Sequence, residues 1–135
     1  RNASKGTGIW IGTAINYKHL NEDQDYADRA ALEYNLVTGE NACKMNTIAK
    51  SFDEFDYTKC NFIVEYAKNS SQQMRAHNLI WAAPGTHNPQ FVIDETDEDK
   101  LEDFMLDYIN KTITAIGDFP FNWDVVNEAV SDGKN

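Results

Sequence analysis

The segment Trp123-Asp124-Val125-Val126-Asn127-Glu128-Ala129 carries residue types suited to proton transfer. A carboxylic acid that follows a short apolar run sits at the end of a buried strand. If apolar side chains flank it, its proton affinity rises and it can donate at neutral pH. An amide immediately before it can hydrogen-bond a substrate hydroxyl. The pair suits cleavage of a glycosidic bond, where an acid must protonate the leaving oxygen. By itself the spacing fits an ordinary strand end with a solvated Glu more often than a site. Glu40 and Asn41 follow a second apolar run, with Lys44 three residues on, and His77 and Trp81 lie in a third. Read singly, Lys44 is a surface lysine and His77 a satisfied core histidine, while Trp81 is equally core packing or the wall of a site. His19 and His87 fall in loops and read as solvated. The three histidines show no metal-ligand spacing. The acidic run from Asp94 to Asp103 lacks the glycine of a calcium loop and reads as a solvated helix start. No serine elbow or glycine-rich phosphate loop occurs, and no cofactor is expected.

These residues need elements to position them. Residues 8–15 read as an apolar strand. Asn21 to Gln24 has capping-box spacing, followed by Tyr26, Ala27, Ala30, Ala31 and Tyr34 on one helical face. Leu36 to Thr38 is a second strand, ending at Gly39. A loop through Phe52 and Phe55 leads to Asp56 as N-cap, and Tyr57, Cys60, Ile63, Val64 and Ala67 form the next helical stripe. Met74 to Trp81 is a third strand, and Pro84, Gly85 and Pro89 mark a loop. Thr96 and Asp99 resemble a capping box before a long helix, whose stripe runs from Leu101 through Phe104, Met105, Tyr108, Ile109, Thr112 and Ile113 to Ile116. Gly117 closes it. Phe121 to Val126 is a fourth strand. The alternation predicts a parallel sheet with crossover helices, and ligands meet such sheets at the C-terminal strand ends. Glu40, Asn41, Trp81, Asn127 and Glu128 all fall at or near strand ends.

Composition removes other function classes. The 135 residues carry 12 Lys and Arg against 22 Asp and Glu, a net charge of −10. Nucleic acid needs a clustered cationic face, and an anionic membrane surface needs a basic run, so neither is an expected partner. No apolar stretch approaches the roughly 20 residues that span a bilayer. The hydrophobic fraction of 41% provides for a core. The chain starts at Arg1 without an apolar signal core, which fits a processed or excised N-terminus. Sequons at Asn2, Asn69 and Asn110 tilt slightly toward a secreted, extracellular protein. Cys43 and Cys60 are too few for a disulfide framework. They form one bridge or remain buried thiols, and free thiols are the slightly favoured expectation.

The Trp123–Ala129 segment resembles the acid/base motif of glycoside hydrolase family 10, the endo-β-1,4-xylanases. Val37-Thr38-Gly39-Glu40-Asn41-Ala42-Cys43-Lys44 resembles the family's second-strand motif, and Met74-Arg75-Ala76-His77-Asn78-Leu79-Ile80-Trp81 its third-strand motif. Phe52 to Tyr66 is similar to its aromatic segment. The resemblance runs from about Gly12 to Gly133. It implies Glu128 as general acid/base and Asn127 as partner of the 2-hydroxyl at the cleavage point. It further implies that His77 contacts that sugar, that Trp81 walls the site, and that Glu40, Asn41 and Lys44 bind the next sugar. Such residues suit neutral sugars, which are read by dense hydrogen bonding and aromatic faces. The implied partner is xylan or a xylo-oligosaccharide, without metal.

Two departures follow. The family's third-strand Trp is usually followed by His-Ser-Gln, whereas Ala82-Ala83-Pro84 stands here, so an imidazole and an amide are missing. Ala76 also replaces a glycine, and Cys43 and Met45 replace a Met and a Trp. Length is the larger departure. A (β/α)8 barrel needs about 250 residues, so residues 1–135 correspond to a partial catalytic domain holding strands one to four. The family's nucleophile lies beyond Asn135, and a retaining mechanism needs both carboxylates about 5.5 Å apart. The expectation is therefore the N-terminal half of a (β/α)8 barrel. It is a piece of a longer enzyme, a chain completed by a missing half barrel or second copy, or an inactive half barrel that binds carbohydrate. A barrel glycosidase acting on cellulose or mixed glucan is a further alternative.

Overall fold

The four apolar runs form four parallel strands: β1 (Gly12–Ile15), β2 (Leu36–Gly39), β3 (Gln73–Trp81) and β4 (Asn122–Asn127). The computed structural model describes residues 6–82 and 87–130. The expected loop signals Pro84 and Gly85, the sequon at Asn2 and the end of the resemblance at Gly133 lie outside them. The sheet order is β1-β2-β3-β4, each strand beside its successor in sequence. Doubly wound sheets reverse their order at a switch point, whereas a barrel adds strands in sequence. Right-handed crossovers in that order put every connection on one face.

The main core lies on that face. Ile15, Val37 and Met74 meet Leu20, Ala27, Ala30, Ile63, Val64 and Ala67, all 8% exposed or less. Gly39 permits the close approach of the helix behind β2, since a Cβ there would stand 3.1 Å from Ile63 Cδ1. A second cluster around Phe104 and Tyr108 collects Phe52, Phe55 and Phe91, with Phe52 edge-on to Phe104 at 5.3 Å between ring centroids. The aromatic segment thus builds core.

The helices are α1 (Tyr17–Glu22), α2 (Gln24–Glu33), α3 (Met45–Ile48), α4 (Thr58–Asn69), α5 (Gln90–Ile93) and α6 (Glu98–Ile116). Several expectations need correction. The first helical region is two helices, and Asn21 lies inside α1. Asn16 caps α1, and Asp23, with extended backbone, caps α2 by accepting from Tyr26 N at 3.0 Å. Asp97, not Thr96, caps α6, accepting from Lys100 N at 3.1 Å. Asp56 does bond the start of α4, accepting from Thr58 N at 2.9 Å, one residue earlier than the helix boundary implies. The first strand starts at Gly12, not residue 8. On α6, Phe104, Tyr108, Thr112 and Ile116 are buried at i, i+4 spacing, while Ile113 is 40% exposed. Gly117 ends α6 at φ 74°, a left-handed conformation that glycine adopts freely.

Cys43 and Cys60 are joined in a disulfide, which corrects the preference for free thiols. Both are fully buried, and the bridge ties the segment after β2 to α4. Strand–helix packing brings their Cα atoms to 4.8 Å, a proximity that sequence spacing does not reveal. Of the sequon asparagines, Asn69 ends α4 and Asn110 lies on α6, both exposed, though Thr112 of the Asn110 sequon is buried.

Candidate functional site

Each strand end delivers polar side chains to the same edge. Glu40 and Asn41 follow β2, and Lys44 precedes α3. Lys44 Nζ donates to Asn41 Oδ1 at 3.1 Å, and Asn16 Nδ2 donates to Glu40 Oε2 at 2.8 Å. A concavity of about 700 Å³ runs along the sheet from Gly12 and Leu36, at the starts of β1 and β2, to Glu40, Asn41 and Lys44 at this edge, and is also lined by Arg75 and His77. Burial pulls Lys44 below the ordinary lysine range, opposed by the negative charges of Glu40 and then Glu128. One ammonium thus feels both strand-end carboxylates.

β3 and β4 supply the rest. Their register pairs His77 with Asp124, then shifts between His77 and Ile80, so that Trp81 pairs with Asn127. The His77–Asn78 peptide is cis. Trp81 Nε1 donates to Glu128 Oε2 at 2.7 Å. Lys44 Nζ stands 4.6 Å from the Trp81 ring centroid, and the His77 ring lies edge-on to Trp81 at 6.4 Å. Glu128 has φ 52°, in the left-handed region that L residues avoid at a cost of about 1–2 kcal/mol. Strained backbone of this kind concentrates at functional sites. The condition of apolar flanking is not met at Glu128 by the described residues, for it is exposed.

Six of the anticipated residues, Glu40, Asn41, Lys44, His77, Trp81 and Glu128, are therefore linked by side-chain contacts or charge, and Asn127 ends β4 with its backbone paired opposite Trp81. Three further residues complete the arrangement. Asp124 Oδ1 accepts from Arg75 Nε at 2.9 Å and Nη2 at 2.8 Å, and its Oδ2 bonds His77 Nδ1 at 2.8 Å. An ionised carboxylate only accepts, so His77 carries a proton on Nδ1. Burial pushes the Asp124 carboxyl up, but the bonds from Arg75 and His77 outweigh it and hold it below the usual carboxylate range. The signal for this pair is in the sequence: alternation places Arg75 and His77 on one strand face. The third is His87, expected to be solvated. It is exposed, yet its ring stacks on Trp81 at 3.8 Å. Among the described residues, no group of three or more His, Cys, Asp or Glu is arranged to hold a metal ion.

The chain superposes on a xylanase 10B from Thermotoga petrophila RKU-1 in complex with xylobiose, with TM-score 0.89 and 28% identity, covering all of this chain and 41% of that one. It is 29% identical to endo-1,4-beta-xylanase A of Thermoanaerobacterium saccharolyticum over 93% of this chain and 12% of that protein. It is also 29% identical to exoglucanase XynX of Acetivibrio thermocellus over 90% of this chain and 12% of that protein. The chain thus spans only a minor part of the relatives it matches. Four sequential parallel strands covering 41% of a complete barrel make the fold the N-terminal half of a (β/α)8 barrel. The sequence model of Glycosyl hydrolase family 10 matches residues 1–135, so the chain belongs to that family.

Proposed function

We propose that the protein to which these residues belong is a retaining endo-1,4-β-xylanase, and that this chain supplies the acid/base half of its site. The observation that carries the reading is Glu128, at the end of β4, hydrogen-bonded by Trp81 and sharing an edge with Glu40, Asn41, Lys44 and His77. Glu128 protonates the leaving glycosidic oxygen and then deprotonates the water that releases the sugar. Asn127 holds the 2-hydroxyl, and His77, fixed through Nδ1 by Asp124, presents Nε2 to the same sugar. Glu40, Asn41 and Lys44 bind the next sugar, their charges partly cancelling for a neutral substrate. The second carboxylate lies outside residues 1–135, as the family resemblance implies. The Cys43–Cys60 bridge supports an extracellular location, where disulfides persist.

The test is hydrolysis of xylan, with cellulose as comparison, by protein containing this chain. Cleavage of xylan in preference to cellulose is expected, and Glu128→Gln should lower it by about 10²-fold or more, the worth of a general acid. Full xylan cleavage by that variant overturns the assignment. The polar cluster of Glu40, Asn41, Lys44 and Asn16, joined by hydrogen bonds among its own side chains, favours a second reading, a half barrel that binds xylo-oligosaccharide without turnover. Saturable xylobiose binding by the 135-residue chain, with no reducing ends released in any assembly, supports that one.

A further inference from the structure

Two neighbouring residues from the connection after β3 return to Trp81. The His87 imidazole lies nearly parallel to the indole, with centroids 3.8 Å apart and planes at 14°. Asn88 Nδ2 donates to the Trp81 carbonyl at 3.0 Å. The same indole donates Nε1–H to Glu128 Oε2. The segment directly after Trp81 is Ala82-Ala83-Pro84, which removes an imidazole and an amide from that position. His87-Asn88 is an imidazole followed by an amide, six and seven residues after Trp81.

We propose that His87 is a positioning residue for the Trp81–Glu128 pair, with Asn88 securing the backbone, and that these two supply from later in the chain what the sequence lacks beside Trp81. The proposal rests on the reading of Glu128 as the acid. An indole has two side-chain torsions, and rotation about either swings Nε1–H away from the carboxylate. A ring laid flat on the indole face blocks that swing. Asn88 fixes the main chain from which the side chain departs. Lys44 also touches the indole, 4.6 Å from the centroid, but through a flexible four-carbon stem that fixes no plane. A sugar entering beside Trp81 consequently meets His87 as part of the wall. This gives an exposed histidine on an acidic protein a specific contact rather than a solvated surface role.

The indole N–H signals of the full chain test this in ¹⁵N-labelled protein. There are three tryptophans, and Trp81→Phe identifies the relevant signal. Glu128→Gln and His87→Ala should each shift the Trp81 signal and leave Trp10 and Trp123 in place. His87→Ala should also speed its exchange with solvent about three- to tenfold, the worth of a stacked aromatic pair. His87→Phe keeps a flat ring and should restore slow exchange, and Asn88→Ala should move exchange in the same direction as His87→Ala. If Glu128→Gln shifts the signal but His87→Ala changes neither shift nor exchange, His87 does not position the pair and the inference is overturned. If Glu128→Gln has no effect, the pair itself is absent and the inference falls with it. Hydrolysis enters neither readout, so a failure to cleave xylan with the His87 response intact counts against the proposed activity alone.

Discussion

Asp124 couples two neighbouring strands through a single carboxylate. One oxygen takes both Arg75 donors and the other takes His77 Nδ1, and the side chain is only 17% exposed. Its folded-state proton affinity is depressed, so the unfolded chain takes up this proton at a higher pH than the native state does. The resulting stability is fully present above the unfolded value near pH 3.9, and is lost as pH falls through the lower folded value. Asp124→Asn should remove that acid-side slope in denaturant titrations, and should cost about 1–3 kcal/mol at neutral pH, because the amide keeps one acceptor oxygen and sets an NH2 against the donor that the other oxygen served. Arg75→Ala should cost less, about 1 kcal/mol or under, because the Arg75 side chain is 49% exposed and water replaces it. An unchanged slope in the Asp124→Asn protein would assign the acid sensitivity elsewhere. The residues that end strands were legible from sequence, since Glu40, Asn127 and Glu128 follow apolar runs directly. The Asp124 contacts were half legible: alternation shows that Arg75 and His77 share a face, but not that β4 aligns Asp124 with His77. The His87 contact was illegible, because it depends on the path of a connection back to Trp81.

The elements show a parallel division. The apolar period of α6 is readable, yet its start depends on which polar residue lies three before a free amide. Asp97 meets that condition through Lys100 N, and Glu95 takes the Thr96 and Asp97 amides. Asp97→Ala should therefore cost about 1 kcal/mol in a denaturant melt. Thr96→Ala should stay within about 0.5 kcal/mol, as surface changes away from caps do. The reverse order would restore Thr96 as the cap. At the first helix, Asn21 and Asp23 are both good caps by type, and packing decides between them. Leu20, 5% exposed in the core, continues α1 through Asn21 and delays the break to Asp23, where φ is −128°. The Cys43–Cys60 bridge is a constraint on the same scale, closing a separation of 17 residues. Restricting the unfolded chain over that length contributes about 3 kcal/mol. The paired substitution Cys43→Ser and Cys60→Ser should lower stability by about that amount, against an oxidised control. A loss no larger than that of Asp97→Ala would mean that the native packing holds Lys44 and α4 together without the bond.

At the scale of the whole molecule, one sheet face is packed and both sheet edges lack a neighbour strand among the described residues. Apolar side chains are exposed beside both: Ile9 62%, Trp10 51% and Ile11 42% just before β1, and Val125 54%, Val126 49% and Val130 84% along and after β4. A strand edge with apolar side chains is a template for association, and parallel strands are ordinarily covered on both faces. The net charge of −10 acts against it, since like-charged copies repel. Added salt separates the two effects. Screening shortens the reach of the repulsion to about 10 Å at 0.1 M, while burial of the apolar edge is not weakened. The 135-residue chain, produced alone, should therefore show a mass of 15.4 kDa in dilute low-salt solution and a rising average mass as salt or concentration increases. Val125→Lys and Val126→Lys place charge on the strand, and each should reduce the association without altering far-ultraviolet dichroism. Sedimentation equilibrium gives the answer directly. If the mass stays at 15.4 kDa at high salt and high concentration, the β4 edge does not drive self-association. If association instead weakens with salt, charge pairing rather than the apolar edge joins the copies.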